Sequence, residues 1–337
     1  MMKRERAAPA MKLLAMFLAI PFMSTTSPAL AAEWEPMPPL PEANGGFIGG
    51  ALGEDLVIAG GTNWRDGTKH WLDGIFVFET SRKAWREAGR LTVPCAYAAS
   101  GTSDGRLYFT GGSGGEKPHA SLSQIGRDFT VQTMASDTPQ TVSSASALLG
   151  SELWIIGGSR EQAQVTTMTN ACYAIDTRTG KMRRLADLPV PSFSSGAAAT
   201  CGGRVFVFGG ARWDAAANAV ANLQSTFTWT KKSERWEALA PYPFPVRGCA
   251  AVALDERHIY IAGGYKNDAE EFTAEAFLFD VESGRFRATK ALPFRAMTTL
   301  LRIGGFVYCL GGEDQKKHRS AAVWRIPRQA LLDVASR

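Results

Sequence analysis

Histidine is scarce in this 337-residue chain. The four copies, His70, His119, His258 and His318, are spread along its length. No stretch therefore offers the clustered His or Tyr ligands that a metal- or copper-dependent oxidase centre needs. The five cysteines, Cys95, Cys172, Cys201, Cys249 and Cys309, include no C-x-x-C pair, and an odd number leaves at least one thiol unpaired within a monomer. Most lie in or beside apolar strand-like runs. Small buried core residues are expected, not a disulfide framework, because a chain this long needs no staples. No long apolar run follows residue 23, so no later segment is expected to span a membrane as a helix. Blocks of basic charge are missing too.

The one basic concentration is at the start. Lys3, Arg4, Arg6 and Lys12 come first, then a short apolar run from Leu13 to Met23, then Ala29-Leu30-Ala31. That order is the pattern of a secretory signal peptide. Residues 1–32 are assigned to it, and the mature protein is expected to be soluble and periplasmic or secreted. Those four basic residues against Glu5 give residues 1–31 a net of +3, so their removal takes the formal charge from +5 to +2. A near-neutral chain with scattered Lys and Arg has no broad electrostatic footprint for nucleic acid.

Repeats are abundant where other signals are sparse. A Gly-Gly doublet closes a β-rich run six times, ending at Gly61, Gly112, Gly158, Gly210, Gly264 and Gly312, with spacings of 51, 46, 52, 54 and 48 residues. This is the period of a Kelch-type β-propeller. Within each unit a small-residue strand and a tight turn precede the doublet. A polar loop, a strand and a final short strand follow it. Trp85, Trp236 and Phe286 each lie seven residues after an aromatic (Phe78, Trp229 and Phe279), as two paired strands joined by a tight turn require. The large aromatics are expected to pack between blades.

Each unit thus reads as a four-stranded antiparallel sheet, and six arranged radially bury their faces against each other. The expected fold is all-β, a six-bladed propeller over residues 33–328, with residues 329–337 as a C-terminal tail. After the last doublet only AAVWRIP (321–327) reads as a strand, and the missing strand is at Glu33–Met37. The N-terminal strand should therefore complete the sixth blade and close the ring.

The longer polar loops follow the doublets, for instance TNWRDGTKHWLD (62–73) and EDQKKHRS (313–320). Binding groups concentrate on loops held by a rigid scaffold, which puts the pocket on that face, at the channel mouth. Asn63 belongs to the first of these loops. Arg247 and Arg295 each precede a small-residue inner strand and could face the channel, where a planar guanidinium suits an anionic or hydroxyl-rich ligand.

Two stretches carry a more specific resemblance. YCLGGEDQKKHRSAAVW (308–324) and IAGGTNWRDGTKHWLDGIFVFE (58–79), followed by LTVPCAYAAS (91–100), resemble the N-acetylneuraminate epimerase (sialic acid mutarotase) family of Kelch propellers, in its cyclically permuted branch. In that family a Gly-Glu after a strand is followed six residues later by an Arg, and the matching residues are Glu313 and Arg319. The resemblance implies that this pair is catalytic and that Tyr97 is retained. It departs at Cys95, where the family carries Arg before Ala-Tyr. Asn63, Tyr97, Arg247 and Arg295 are the candidate substrate-binding residues.

Interconversion of sugar anomers runs through an open-chain form. A base takes the anomeric hydroxyl proton while an acid protonates the ring oxygen, and closure on the other face reverses both steps. Glu313 can move such a proton, and Arg319 can hold the sugar's carboxylate or a developing oxyanion. The reaction needs no cofactor, metal or covalent nucleophile, and the expected partner is a small acidic sugar. A homo-oligomer is left open. The alternative is a non-catalytic propeller that binds a glycan or a protein.

Overall fold

The Gly-Gly doublets are the joints of the molecule. In this computed structural model, which describes residues 33–162, 164–230, 232 and 234–333, all twelve doublet glycines have positive φ, a region that costs a residue with a Cβ about 1–2 kcal/mol. A Cβ on the first glycine of each doublet would stand 2.1–2.6 Å from a backbone carbonyl of the next blade: Cys95, Thr141, Phe193, Val246, Ala296 or Asn44. The amide of the second glycine donates to that same carbonyl at 2.8–2.9 Å in every case. One hydrogen bond and one forbidden Cβ thus recur at each blade junction, and this is why the period is written in glycine.

Each repeat forms one antiparallel sheet, and the chain is a six-bladed β-propeller. The inner strands are Ile48–Leu52, Ala96–Ser103, Ala145–Leu149, Ser194–Cys201, Ala250–Ala253 and Met297–Ile303, each neighbouring the next around the ring. The sixth blade holds Met297–Ile303, Phe306–Gln315, His318–Pro327 and Glu35–Met37, the last pairing antiparallel to His318–Pro327 with Met37 opposite Val323. The N-terminal strand closes the ring.

The hydrophobic core is divided among the six junctions. Each cluster of buried side chains joins two adjacent blades, for example Trp154 of the third with Trp229 and Trp236 of the fourth. Those three indoles meet edge to face, with centroids 5.3–6.1 Å apart, the geometry that aromatic quadrupoles favour. The aromatics spaced by seven are cross-strand partners: Phe78 with Trp85, Trp229 with Trp236, Phe279 with Phe286. All five cysteines are free and buried. Burial pushes the thiols of Cys95, Cys172, Cys249 and Cys309 up to about 12, which leaves them protonated and unreactive.

Two segments differ from the sequence expectation. Residues 62–73 are not an open loop; Thr62–Arg65 and Thr68–Trp71 pair as a hairpin. EDQKKHRS is likewise the tip of a hairpin, since the two central strands of the sixth blade run on to Gln315 and restart at His318. Continuing the ladder satisfies backbone groups that a loop would leave to water. Beyond the propeller, Arg328–Leu332 is a short helix whose Leu331 is buried against the fifth and sixth blades, so the start of the tail is docked. No helix among the described residues is long and apolar enough to cross a membrane. The segment assigned to a signal peptide lies outside the described residues.

Candidate functional site

One register runs through all six blades. The residue after each doublet pairs with the residue at the entry of the inner strand: Thr62 with Gly45, Ser113 with Ala96, Ser159 with Val142, Ala211 with Ser194, Tyr265 with Arg247, Glu313 with Met297. The next residue along therefore occupies one equivalent position in every blade: Gly46, Tyr97, Ser143, Ser195, Gly248 and Thr298. The first five have positive φ, a conformation that the non-glycine residues Tyr97, Ser143 and Ser195 hold at some cost. What holds them is a belt of hydrogen bonds. The amides of Tyr97, Ser143, Ser195 and Gly248 each donate to the carbonyl of the equivalent residue one blade back, at 2.7–2.9 Å. The belt stops at the sixth blade, where the inner strand carries an irregularity between Met297 and Thr299.

These residues line a cavity of about 310 Å³ at the channel mouth, together with Glu313 and Arg319. Five of the six residues after the doublets are uncharged, and Glu313 is the exception. The hairpin of the sixth blade shifts register between Gly312 and Gln315, a bulge of the kind that re-aims a side chain. Glu313 is part-exposed to the cavity. Arg319, across the hairpin, is only 6% exposed.

The Arg319 guanidinium is held from three blades. Nη1 meets Glu313 Oε2 at 2.6 Å. Nη2 donates to Tyr97 Oη at 3.0 Å and Nε to Thr62 Oγ1 at 3.3 Å. Thr62 Oγ1 in turn is 3.1 Å from Tyr97 Oη. Two glycines make the room. A Cβ on Gly45 would lie 2.7 Å from Arg319 Cδ, and one on Gly46 would lie 2.4 Å from the Tyr97 ring. Gly45 has no positive φ, so Gly45→Ala tests crowding alone. We expect it to lose about 1–3 kcal/mol, as overpacked sites do, in a chemical-denaturation measurement. Unchanged stability would show that Arg319 yields freely.

Lys69, on the added hairpin of the first blade, places Nζ 4.7 Å from the ring centres of both Tyr97 and Trp71. Trp71 packs edge-on against Tyr97 at 5.9 Å. Burial opposes ionisation of the Tyr97 phenol. The charges of Lys69 and Arg319, with hydrogen bonds from Lys69 and Thr62, outweigh it and hold the phenol below its ordinary pKa.

Of the residues singled out from sequence, Glu313, Arg319 and Tyr97 meet at one cavity. The other three do not join them. Asn63 is buried and donates to Glu42 Oε2 at 3.0 Å, outside the cavity lining. Arg247 precedes Gly248, and strand alternation turns it away from the channel. It lines a separate cavity of about 590 Å³, where it donates to Asn222 Oδ1 at 2.8 Å and stacks 4.3 Å from the Tyr265 ring centre. Burial lowers its pKa against the attraction of Tyr265, Asp268 and Glu313. Arg295 is exposed and acts electrostatically on Glu270. Cys95 sits in a blade junction, its carbonyl accepting the Gly61 amide at 2.8 Å. Lys69, Thr62, Ser143, Ser195 and Thr298 were not picked out from sequence. For the two serines and Thr298 the signal was there: an equivalent position in each repeat, counted back from the inner strand. Among the described residues no three His, Cys, Asp or Glu side chains could share a metal ion.

Comparison with known proteins agrees with this architecture. Over 278 residues the chain is 24% identical to Kelch-like protein 35 of Mus musculus, covering 82% of this chain and 44% of that protein. It is a Kelch-type propeller. Kelch-like protein 33 of Homo sapiens is 32% identical over 139 residues, 40% of this chain and 25% of that protein. N-acetylneuraminate epimerase of Brucella melitensis biotype 1 is 30% identical over 105 residues, 24% of this chain and 26% of that protein. The chain thus spans less than half the length of each of these relatives. No family profile matches it.

Proposed function

We propose that this chain accelerates the interconversion of anomers of N-acetylneuraminate or a related acidic sugar. The observation that carries the reading is the meeting of Glu313, Arg319 and Tyr97 at the channel mouth. A carboxylate, a fixed cation and a phenol there face a cavity of about 310 Å³. That volume is at the small end for ligand sites and suits one monosaccharide. Glu313 would take or return the anomeric proton, and Arg319 would steady the charge that develops. The partial similarity to the Brucella epimerase supports the same chemistry. The mature protein would be periplasmic or secreted, act on a free sugar, and need no cofactor.

A second reading is a non-catalytic propeller that binds a glycan or protein. The ion pair that Glu313 and Arg319 already make at 2.6 Å, which would serve structure as well as catalysis, favours it; the likeness to Kelch-like protein 35 supports the fold that both readings share. One experiment separates the two. Proton NMR of freshly dissolved N-acetylneuraminate follows its approach to anomeric equilibrium, with purified protein and a Glu313→Ala control. Faster approach that is lost in the variant is expected. Acceleration that survives the variant would keep the activity and remove Glu313 from it. No acceleration at stoichiometric protein would leave the binding reading.

A further inference from the structure

Anomer exchange moves two protons, and Glu313 accounts for one. We infer that Tyr97 is the second proton-transfer group of the pocket, paired with Glu313 across the Arg319 guanidinium; this rests on the isomerase reading above.

The geometry that supports it is local. Glu313 and Tyr97 are bound to the two terminal nitrogens of one guanidinium, at 2.6 and 3.0 Å. Both are thus held by one planar group, and all three residues line the same cavity. A sugar ring lying over that fork presents its anomeric hydroxyl to one group and its ring oxygen to the other. The Tyr97 backbone is fixed at φ 60°, and its amide bonds to Gly46 while its carbonyl accepts from Ser143, at 2.7 and 2.9 Å. The ring rests where a Cβ on Gly46 would be. Of the five equivalent positions that share this left-handed conformation, Tyr97 alone carries a titratable side chain into the cavity lining.

The proton balance closes. On ring opening Glu313 takes the proton of the anomeric hydroxyl, the bond from anomeric carbon to ring oxygen breaks, and a carbonyl forms. The ring oxygen takes the Tyr97 proton, leaving a phenolate beside Arg319 and Lys69. Rotation about the adjacent carbon–carbon bond turns the other carbonyl face inward. On closure the hydroxyl attacks that face and returns its proton to Tyr97, while Glu313 gives its proton to the new anomeric oxygen. Nothing is consumed. The groups facing the phenol are Lys69 from the first blade, Arg319 from the sixth, and Glu313 beyond Arg319. The two cations stabilise the phenolate and hold its pKa below the ordinary value. The acid form is the active one, so the rate should fall with rising pH before an ordinary tyrosine would titrate.

The test is the NMR exchange rate against pH for wild type, Tyr97→Phe and Lys69→Gln. Phenylalanine keeps the ring over Gly46, and a thermal melt checks that the fold is unchanged. Tyr97→Phe is expected to lose roughly 10²–10⁴-fold in rate, the usual share of a general acid. Lys69→Gln should slow exchange at neutral pH, because one of the two cations that stabilise the phenolate is gone, and should move the alkaline limb to higher pH. A folded Tyr97→Phe chain that keeps the wild-type rate overturns the proposal and leaves the isomerase reading standing. A limb that stays in place in Lys69→Gln also overturns it. A wild-type chain that does not accelerate exchange overturns the isomerase reading itself, and this role of Tyr97 with it.

Discussion

Arg319→Lys is expected to give a folded chain that has lost at least about a hundredfold in anomer exchange, the scale set by removing one fixed donor from a reacting site. The reason is shape and not charge. Arg319 spends one terminal nitrogen on Glu313, the other on Tyr97, and Nε on Thr62. An ammonium is a point donor on a flexible stem and cannot hold the carboxylate and the phenol in a plane. Arg319→Met removes the cation as well. Breaking a fully buried pair costs about 3–5 kcal/mol through the charge left behind. The Glu313 side chain is 22% exposed and reaches water, so about 1–3 kcal/mol is expected here. NMR exchange and chemical denaturation on both variants check this. A lysine variant with the wild-type rate would show that the fork is dispensable. A methionine variant of unchanged stability would show that the ion pair is energetically idle.

What could be read from the sequence follows from how local each signal is. The doublets were legible because the first glycine of each answers one nearby constraint, a backbone carbonyl where its Cβ would be. The aromatic pairs spaced by seven were legible because a tight turn fixes which residues face each other. The site was legible only in part. Thr62, Tyr97 and Arg319 touch, yet they are separated by 35, 222 and 257 residues. Their meeting depends on the register of blades that are distant in the chain. Arg247 shows how narrow the margin is: one residue earlier than Gly248, it faces a different cavity. Lys69 belongs to a hairpin that reads as a polar loop, because TNWR and TKHW carry no apolar alternation to announce a strand.

Removing the strand that closes the ring should have the other large effect, and it should reach the site. A chain starting at Pro41 loses Met37 and Leu40, which are 7% and 3% exposed. It also loses the pairing of Glu35–Met37 with the sixth blade, and the Trp85 indole loses its bond to the Pro38 carbonyl at 3.0 Å. Burial of the two side chains alone corresponds to about 3–6 kcal/mol, an upper figure for a compact unfolded state. At about 2–4 °C per kcal/mol for a sizeable domain, the melting temperature should fall by roughly 10 °C or more. An open ring of blades also holds only nearest-neighbour contacts, so the transition should broaden. The seam that opens is the one that builds the pocket. Gly312 donates to Asn44 across it at 2.8 Å, and Gly45 and Thr62 on one side hold Arg319 from the other. Exchange activity should therefore disappear at temperatures where circular dichroism still reports folded strands. Coincident loss of activity and structure would mean that the seam has no independent freedom. A melt unchanged from the full chain would mean that the strand closes nothing.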